Sequence, residues 1–199
     1  MTEYSVSSPL TVRDAAAWRD WLDQSEDVSD GVWLLLAKKG VTQPTRLNYQ
    51  EALVEALCSG WIDGQRRSRD ATTYLQRFTP RRPRSIWSQR NVEIVTQCIA
   101  EGRLRDRGFT EVERARADGR WDRAYAGPAS AEAPPELEAA LDAAPRARQA
   151  FERLTGSARY SALHPVLTAA TEATRERRIL KLIEQLEGDA SEGRGSRDG

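Results

Sequence analysis

Arginines dominate the segment between residues 65 and 90, although the chain as a whole has no net charge. Eight arginines stand there against one acidic residue, Asp70, so the segment carries a formal charge of +7. They are Arg66, Arg67, Arg69, Arg77, Arg81, Arg82, Arg84 and Arg90. Because guanidinium groups bind carboxylates and phosphates through paired hydrogen bonds, the segment predicts a site for an anionic ligand or an acidic partner surface. Pairing with the chain's own acidic segment, residues 131–144, is the simpler alternative.

Three short polar segments carry the candidate ligand-binding residues. Residues 61–66 follow a predicted helix, residues 77–83 end a predicted strand, and residues 85–91 begin the next predicted helix. The N-terminus of a helix attracts anions, because its backbone N–H groups are unpaired and it carries about half a positive charge. We expect the three segments to converge on one ligand-binding pocket formed by Trp61, Asp63, Arg66, Arg77, Arg81, Ser85, Trp87, Ser88 and Asn91.

The residue types in this set suit the binding of a small anionic or amide-containing molecule. The arginines would supply charge, Ser88 and Asn91 hydrogen bonds, and one of the two tryptophans an apolar wall. Two simpler roles stay open: Ser88 only caps its helix, and Asp63 only pairs with an arginine. On the binding hypothesis, the substitution Arg81→Ala abolishes binding and leaves the fold intact.

An enzyme that works without a metal is the second hypothesis for the same residues. Asp63 would be the general base, and Arg81 with the helix N-terminus would stabilise developing negative charge. The chain has one histidine, His164, and two cysteines, Cys58 and Cys98. These are too few for the usual zinc sites of cysteine and histidine. We expect no metal and no cofactor.

Two further hypotheses concern macromolecular partners. The arginines could contact a phosphate backbone while a tryptophan stacks on bases. The basic segment is short and the isoelectric point is about 6.6, so nucleic acid is the less favoured partner. A protein-interaction module is the other hypothesis, in which a basic row on the last helix meets an acidic partner protein. That row consists of Arg175, Arg177, Arg178 and Lys181.

Nothing in the sequence points to a membrane or to export. The longest apolar run, Val32–Ala37, is far shorter than the roughly 18 residues that a membrane span needs. The N-terminal residues, MTEYSVSS, lack the basic and apolar regions of a signal peptide. Both cysteines lie on apolar faces of predicted helices, where they are expected to be reduced. We expect a cytoplasmic protein that does not insert into a membrane.

Helices and strands must position the polar segments, and the local sequence patterns that predict these elements indicate an α+β protein. Val32–Ala37 and Thr72–Phe78 are typical of strands, and Trp61–Gly64 of a short extended piece and turn. Asn48 and Glu51 predict the capped start of a helix.

Further capping signals follow along the chain. Ser88 predicts the start of a helix, and Thr110 with Glu113 forms a capping box that predicts another. A long final helix is expected from about residue 157 to residue 186, with Pro165 starting or kinking it.

Composition predicts two folded parts. Residues 1–126 form a small mixed α/β body with a few short strands, and residues 136–187 form an all-helical module. Between them, residues 127–135 are rich in alanine, proline and serine, as in a linker. The glycine-rich polar tail, residues 188–199, is expected to be disordered.

Four segments resemble, in the same order, the YdeI/OmpD-associated family, often described as bacteriocin-protection proteins. They are CSGWIDG, FTPRRPRSIWSQRN, EGRLRDRGFTEVERARADGRWDRAY and TEATRERRI. The resemblance spans roughly residues 32–186. It implies an α/β body, a helical OmpD-associated module, and a bacteriocin-protection or stress-related role without specifying a reaction.

The resemblance also implies a set of signature positions. They match the family's motif residue by residue at Trp61, Asp63, Gly64, Pro80, Arg81, Ser85, Trp87, Ser88 and Asn91. Trp121 and Tyr125 match a second, weaker motif. Family members often carry an alanine-lysine pair before the late Thr-Arg pair, whereas this chain has Ala169 and Ala170. Any role of that lysine is therefore missing here.

Overall fold

Within the part of the chain that the structure describes, strands occur only before residue 81, and the regular elements after it are helices. The structure, a computed structural model, describes residues 4–195. The elements within these residues are α1 (Ala15–Ser25), β1 (Val32–Ala37), α2 (Tyr49–Cys58), β2 (Trp61–Ser68), β3 (Thr73–Pro80), α3 (Gln89–Ala100), α4 (Asp106–Ala117), α5 (Pro135–Ala143), α6 (Pro145–Glu152), α7 (Gly156–Leu167) and α8 (Glu172–Gly195). The predicted α+β class is confirmed.

The three strands form one antiparallel sheet in the order β1-β3-β2, so β3 is the central strand. Side chains alternate across a strand, so Tyr74 and Phe78 of β3 lie on the inner face of the sheet, and Leu75 and Arg77 lie on the outer face. The inner face packs against α1, α2 and α3. This core includes Trp18, Leu22, Val32, Leu34, Leu36, Leu53, Leu57, Trp61, Phe78 and Val95.

Strand β2 is longer than the sequence predicts. It continues through the expected turn at Gly64 as far as Ser68. Pairing with β3 supplies the reason, since Arg66 pairs with Gln76 and Ser68 with Tyr74. The register shifts by one residue between Asp63 and Arg66, which places a bulge at Gly64 and Gln65. The Gly64 carbonyl accepts a hydrogen bond from the side-chain amide of Gln76 at 2.8 Å.

The capping box predicted for α2 is confirmed. The Asn48 side chain accepts a hydrogen bond from the Glu51 N–H at 3.0 Å, and the Glu51 carboxylate accepts one from the Asn48 N–H at 3.2 Å. The cap predicted for α3 is confirmed as well, because the Ser88 hydroxyl accepts a hydrogen bond from the Asn91 N–H at 3.2 Å. Local capping residues thus fix the starts of α2 and α3.

The start predicted for the next helix is wrong. Thr110 does not cap α4 but lies inside it, where its hydroxyl donates to the Asp106 carbonyl at 3.0 Å. The helix begins earlier because its first turn packs against the end of α2. The Arg105 N–H donates to the Cys58 carbonyl at 3.0 Å. A Cβ on Gly108 would stand only 2.4 Å from that carbonyl oxygen, so no larger side chain fits there.

The chain divides into two compact units, Met1–Ala124 and Tyr125–Gly199. The second unit consists of α5 to α8 around its own apolar core. That core comprises Leu137, Leu141, Ala147, Phe151, Leu163, Val166, Ile179, Leu182 and Leu186. The predicted domain limits, residues 1–126 and 136–187 with a linker at 127–135, stay predictions.

The predicted long final helix is two helices. Pro165 lies inside α7, which ends at Leu167, and α8 begins at Glu172. The break lets Ile179 and Leu182 of α8 pack in the same core as Leu163 and Val166 of α7, which one straight helix cannot do. Helix α8 extends to Gly195, into the predicted disordered tail, and residues 196–199 lie outside the described part of the chain.

Candidate functional site

Arginines in and just after the β2–β3 hairpin line three separate clefts and not one pocket. Arg66 lies on the inner side of β2, Arg77 on the outer face of β3, and Arg81 just beyond the end of β3. Each of these arginines lines a different cleft. The structure therefore does not bring the predicted ligand-binding residues together in a single site. Strand alternation is the reason, because neighbouring residues on a strand face opposite sides of the sheet.

We name the three clefts after one residue of each. The Lys38 cleft, of about 630 Å³, is lined by Ala37, Lys38, Lys39, Gly40, Val41, Arg46, Asn48, Tyr49, Gln50, Arg66 and Tyr74. The Trp33 cleft, of about 840 Å³, is lined by Tyr4, Ser5, Val6, Ser7, Trp33, Gln65, Arg67 and Arg77. The Arg81 cleft, of about 670 Å³, is lined by Glu26, Asp27, Arg81, Pro83, Arg105, Asp106, Arg107, Thr110, Glu111 and Arg114.

Trp61 belongs to the apolar core. Its side chain is fully buried. Its ring meets those of Trp18 and Trp21 edge to face, with centroid distances of 6.4 and 5.9 Å. Edge-to-face packing of this kind stabilises a core beyond the effect of burial alone. Trp61 therefore cannot offer a wall to a ligand without opening the core.

Arg81 and Trp87 form a buried stack. The guanidinium lies 3.6 Å from the centroid of the Trp87 ring and donates to the Ile86 carbonyl at 3.2 Å. Only 4% of Arg81 and 2% of Trp87 is exposed, and Trp87 also packs against Trp121 at 4.9 Å between centroids. The stack anchors the loop between β3 and α3. Both residues thus have a structural role that the sequence analysis did not assign to them.

The serines and the asparagine of the third polar segment also have structural roles. Ser88 caps α3, as described above, and Asn91 is buried in its first turn. Ser85 accepts a hydrogen bond from the Arg82 N–H at 3.0 Å through its hydroxyl. Its carbonyl accepts another from the Arg120 guanidinium at 2.7 Å. These contacts hold the loop in place, which agrees with the simpler of the two roles left open for Ser88.

Within the described residues, Asp63 pairs with a tyrosine and with no arginine. The Tyr49 hydroxyl donates to the Asp63 carboxylate at 2.9 Å. The Arg90 guanidinium lies 5.5 Å from the centroid of the Tyr49 ring. Burial, followed by the nearby Asp63 carboxylate, raises the pKa of Tyr49 above its usual range. At neutral pH the phenol is therefore protonated and keeps its hydrogen bond to Asp63.

The Lys38 cleft is the most positively charged of the three clefts. Its cations come from three places: Lys38 and Lys39 after β1, Arg46 just before α2, and Arg66 on β2. No aspartate or glutamate is among its lining residues. The cleft also lies at the N-terminus of α2, where Asn48 and Gln50 reach it. A helix N-terminus adds to the attraction of the cations for an anion.

Nearby groups hold several of these side chains in place. The Arg66 guanidinium lies over the ring of Tyr74, 4.1 Å from its centroid, and the Lys38 ammonium donates to the Asp70 carbonyl at 2.6 Å. Arg46 forms an ion pair with Asp14 at 2.7 Å. A hydrogen bond from the Ala17 N–H, aided by the neighbouring arginines, lowers the pKa of Asp14 to about 2. Arg46 is therefore partly neutralised, and the other three cations provide the free charge.

Sequence reasoning found only Arg66 among the cations of this cleft. The others stand 20 to 28 positions earlier in the chain, and no local pattern links them to the arginine segment. The sequence nevertheless contains one signal that could have located this cleft. Lys38 and Lys39 directly follow a fully buried strand, and Asn48 caps the next helix, so both flank a loop between regular elements.

The Arg81 cleft differs from the Lys38 cleft because it combines both charges. Arg107 pairs with Asp27 at 3.0 Å, and Arg114 with the buried Glu111 at 2.6 Å. Glu26 is half-buried beside them. Burial raises its pKa, although the Ser59 hydroxyl and Arg105 act in the opposite direction. A carboxyl group that keeps its proton to higher pH is suited to proton transfer.

Within residues 4–195, no group of three or more histidine, cysteine, aspartate or glutamate side chains is placed to hold a metal ion. In the same residues, no helix combines the length and the apolar composition that crossing a membrane requires.

Fold and clefts together define a two-unit α+β protein with a cation-lined cleft in its first unit. By comparison with known families, residues 10–111 match the model of a domain of unknown function, DUF8412, and the chain belongs to that family. Residues 130–188 match the model OmdA, described as "Bacteriocin-protection, YdeI or OmpD-Associated". No curated protein and no solved structure matches the chain.

These matches confirm the resemblance to the YdeI/OmpD-associated family and limit its extent. The helical second unit carries that match. The first unit, which the resemblance also covers, instead matches DUF8412. The name of the second family mentions bacteriocin protection, but neither description names a reaction or a ligand.

Arg81→Ala is expected to lower stability, contrary to the intact fold expected from the sequence. The substitution removes a desolvated cation from the face of Trp87, an interaction worth about 2 kcal/mol. Urea unfolding should show a loss of at least that size. Arg82→Ala, which removes the exposed neighbouring arginine, serves as the control and should change the free energy of unfolding by less than about 0.5 kcal/mol. Equal stability of the two variants would contradict the structural role.

Glu26→Gln is expected to stabilise the protein at neutral pH but not at acid pH. Because the pKa of Glu26 is raised on folding, the folded state binds more protons than the unfolded state between the two pKa values, so stability falls as pH rises through that window. The neutral glutamine avoids this loss. Thermal unfolding should give a higher Tm for the variant at pH 7, and a gain that shrinks towards about pH 4, the ordinary range of glutamate. The exposed Glu113→Gln is the control; a gain independent of pH would refute the assignment.

Proposed function

We propose that the chain binds a small anionic molecule in the Lys38 cleft. The observation that carries the proposal is the charge of the lining: four cations, Lys38, Lys39, Arg46 and Arg66, and no carboxylate. A small-molecule site typically combines a concave shape with a few fixed polar groups, and this cleft combines them with a volume of about 630 Å³.

The neutral groups of the cleft narrow the chemistry of the ligand. The carboxamide NH2 groups of Asn48 and Gln50 can donate hydrogen bonds to a ligand carbonyl, while the Asn48 oxygen accepts from the Glu51 N–H and the Gln50 oxygen from the Arg90 guanidinium. Burial raises the pKa of Tyr74, and burial with Asp63 raises that of Tyr49, so both phenols are neutral and add apolar ring surface. A carboxylate or phosphate on a small body with an amide group fits this lining.

This proposal keeps the ligand class predicted from the sequence and moves the binding site. Arg66 remains a binding residue, and Asp63 acts indirectly by holding Tyr49. Arg77 lines another cleft, and Trp61, Arg81, Ser85, Trp87, Ser88 and Asn91 serve the fold. A bacteriocin-protection or stress-related role in the cytoplasm remains part of the proposal, supported by the match of the second unit and the reduced, buried cysteines.

The binding proposal is tested by titrating the protein with inorganic phosphate and with citrate in an isothermal calorimeter at low salt. Arg66→Ala should weaken binding of the preferred anion about tenfold, the effect of losing one charge-assisted hydrogen bond of about 1.4 kcal/mol. Arg66→Lys should weaken it less, because the charge remains while the planar fork is lost.

The control for this experiment is Arg84→Ala. Arg84 is exposed like Arg66 but lines none of the three clefts. Its removal should leave the affinity unchanged. Equal losses in both variants would show that the anion responds only to the net charge of the protein, and the proposal would fail.

An enzyme is a second candidate, favoured by one observation in the Arg81 cleft. Glu26 has a raised pKa beside Arg105 and Arg107, so it can exchange a proton near groups that stabilise negative charge. Glu26 thus replaces Asp63 as the candidate general base.

A panel of nitrophenyl esters and phosphate esters tests this candidate with the wild-type protein and Glu26→Gln side by side. General acid–base catalysis by a side chain contributes about 100-fold or more, so turnover should drop by that factor in the variant. Equal turnover by both proteins would remove Glu26 from the reaction.

A further inference from the structure

The two edges of the sheet differ in whether other parts of the first unit pair with them. The outer edge of β1 is covered: the Leu10 N–H donates to the Trp33 carbonyl at 2.8 Å, and the Ala37 N–H donates to the Leu47 carbonyl at 2.9 Å. Strand β2 forms the other edge and, within the described residues, pairs only with β3. Among residues 4–124, no backbone group pairs with its outer edge, and residues 64–70 are exposed.

This open edge carries arginines on both faces of the sheet. Arg66 pairs with Gln76 and lines the Lys38 cleft on the inner side. Arg67 pairs with Leu75 and lines the Trp33 cleft on the outer side, together with Arg77. Neither cleft has an acidic lining residue. The strand is thus bordered on both sides by concave, positively charged surface.

We propose that the open edge of β2 binds an extended acidic segment of a partner protein by strand addition. The backbone of that segment would pair with the free backbone groups of β2, as in other complexes in which a peptide extends a sheet. Because side chains alternate along a strand, two consecutive acidic residues of the partner would point to opposite faces. One carboxylate would meet Arg66, and the next would meet Arg67 and Arg77.

Charged residues on an edge strand also serve to prevent self-association. Two features of this edge go beyond that purpose. First, both arginines rest on aromatic rings, with Arg66 at 4.1 Å from the Tyr74 centroid and Arg67 at 5.2 Å from the Trp33 centroid. Side chains held in this way lose less entropy when they bind a carboxylate. Second, each arginine faces a cleft with room for a side chain.

The inference shares Arg66 with the proposed function and does not depend on it. A small anion would use the Lys38 cleft alone, whereas strand addition also requires Arg67 on the other face of the sheet. Arg67 therefore separates the two ideas. The substitution Arg67→Glu reverses the charge of the Trp33 cleft and leaves every lining residue of the Lys38 cleft in place.

Fluorescence anisotropy with three labelled ten-residue peptides tests the proposal. The first peptide repeats a threonine and two glutamates. The second has glutamines in place of the glutamates. The third keeps every glutamate but has proline in place of each threonine, which removes backbone donors and disfavours strand pairing. The first peptide should bind, and each of the other two should bind at least about tenfold more weakly, a difference of 1.4 kcal/mol.

Protein variants complete the test. Arg67→Glu should weaken binding of the first peptide at least about tenfold, and the exposed control Arg84→Glu should change it less than twofold. Phosphate binding in the Lys38 cleft should be unchanged in Arg67→Glu, so the failure of either idea can be recognised separately.

Three outcomes would overturn the proposal. Equal binding of the proline peptide would show a simple electrostatic contact without strand pairing. Equal losses in Arg67→Glu and Arg84→Glu would show a response to net charge only. Tighter binding of a ten-nucleotide dT strand than of the first peptide would assign the edge to nucleic acid. A far-ultraviolet circular dichroism spectrum for each variant confirms that the fold is retained.

Discussion

The central strand β3 pairs with both other strands, and its alternation determines where each polar group of the hairpin lies. Every residue of β2 and β1 takes its face of the sheet from its partner on β3. Arg66 and Arg67, adjacent in sequence, therefore border different clefts. The one-residue bulge between Asp63 and Arg66 matters for the same reason: it keeps both of these residues on the inner side, three positions apart.

Aromatic residues pack the core of the first unit and also lie against several of its arginines. Trp18, Trp21 and Trp61 pack together in the core under the sheet. Elsewhere an aromatic ring supports an arginine: Trp87 under Arg81 and Tyr74 under Arg66. Arg81 is buried and stabilises the fold, whereas Arg66 is exposed above the buried Tyr74 ring and is held at the edge of a cleft. Exposure thus separates two uses of the same contact.

The two units of the chain differ in the chemistry they present. The first unit holds the sheet, the three clefts and the match to DUF8412. The second, as described up to residue 195, has four helices around an apolar core and carries the match to the YdeI/OmpD-associated family. Of the basic row predicted as a protein-contact surface, Arg175 pairs with Glu136 of the same unit, and Arg178 donates to the Pro165 carbonyl. A protein partner for this unit stays a prediction.

The sequence alone determined the α+β fold class, the first strand, the capped starts of α2 and α3, and the excess of positive charge within residues 65–90. These features depend on neighbours within a few residues, such as the pair Asn48 and Glu51. Only the tertiary structure decided which cations share a cleft, since Lys38 and Arg66 meet through strand pairing over 28 positions. It also decided that Arg81 and Trp87 are buried, because burial depends on what packs against a residue and not on its polarity. For the same reason α4 begins at Asp106, where Gly108 fits against the Cys58 carbonyl, and not at the local capping signal.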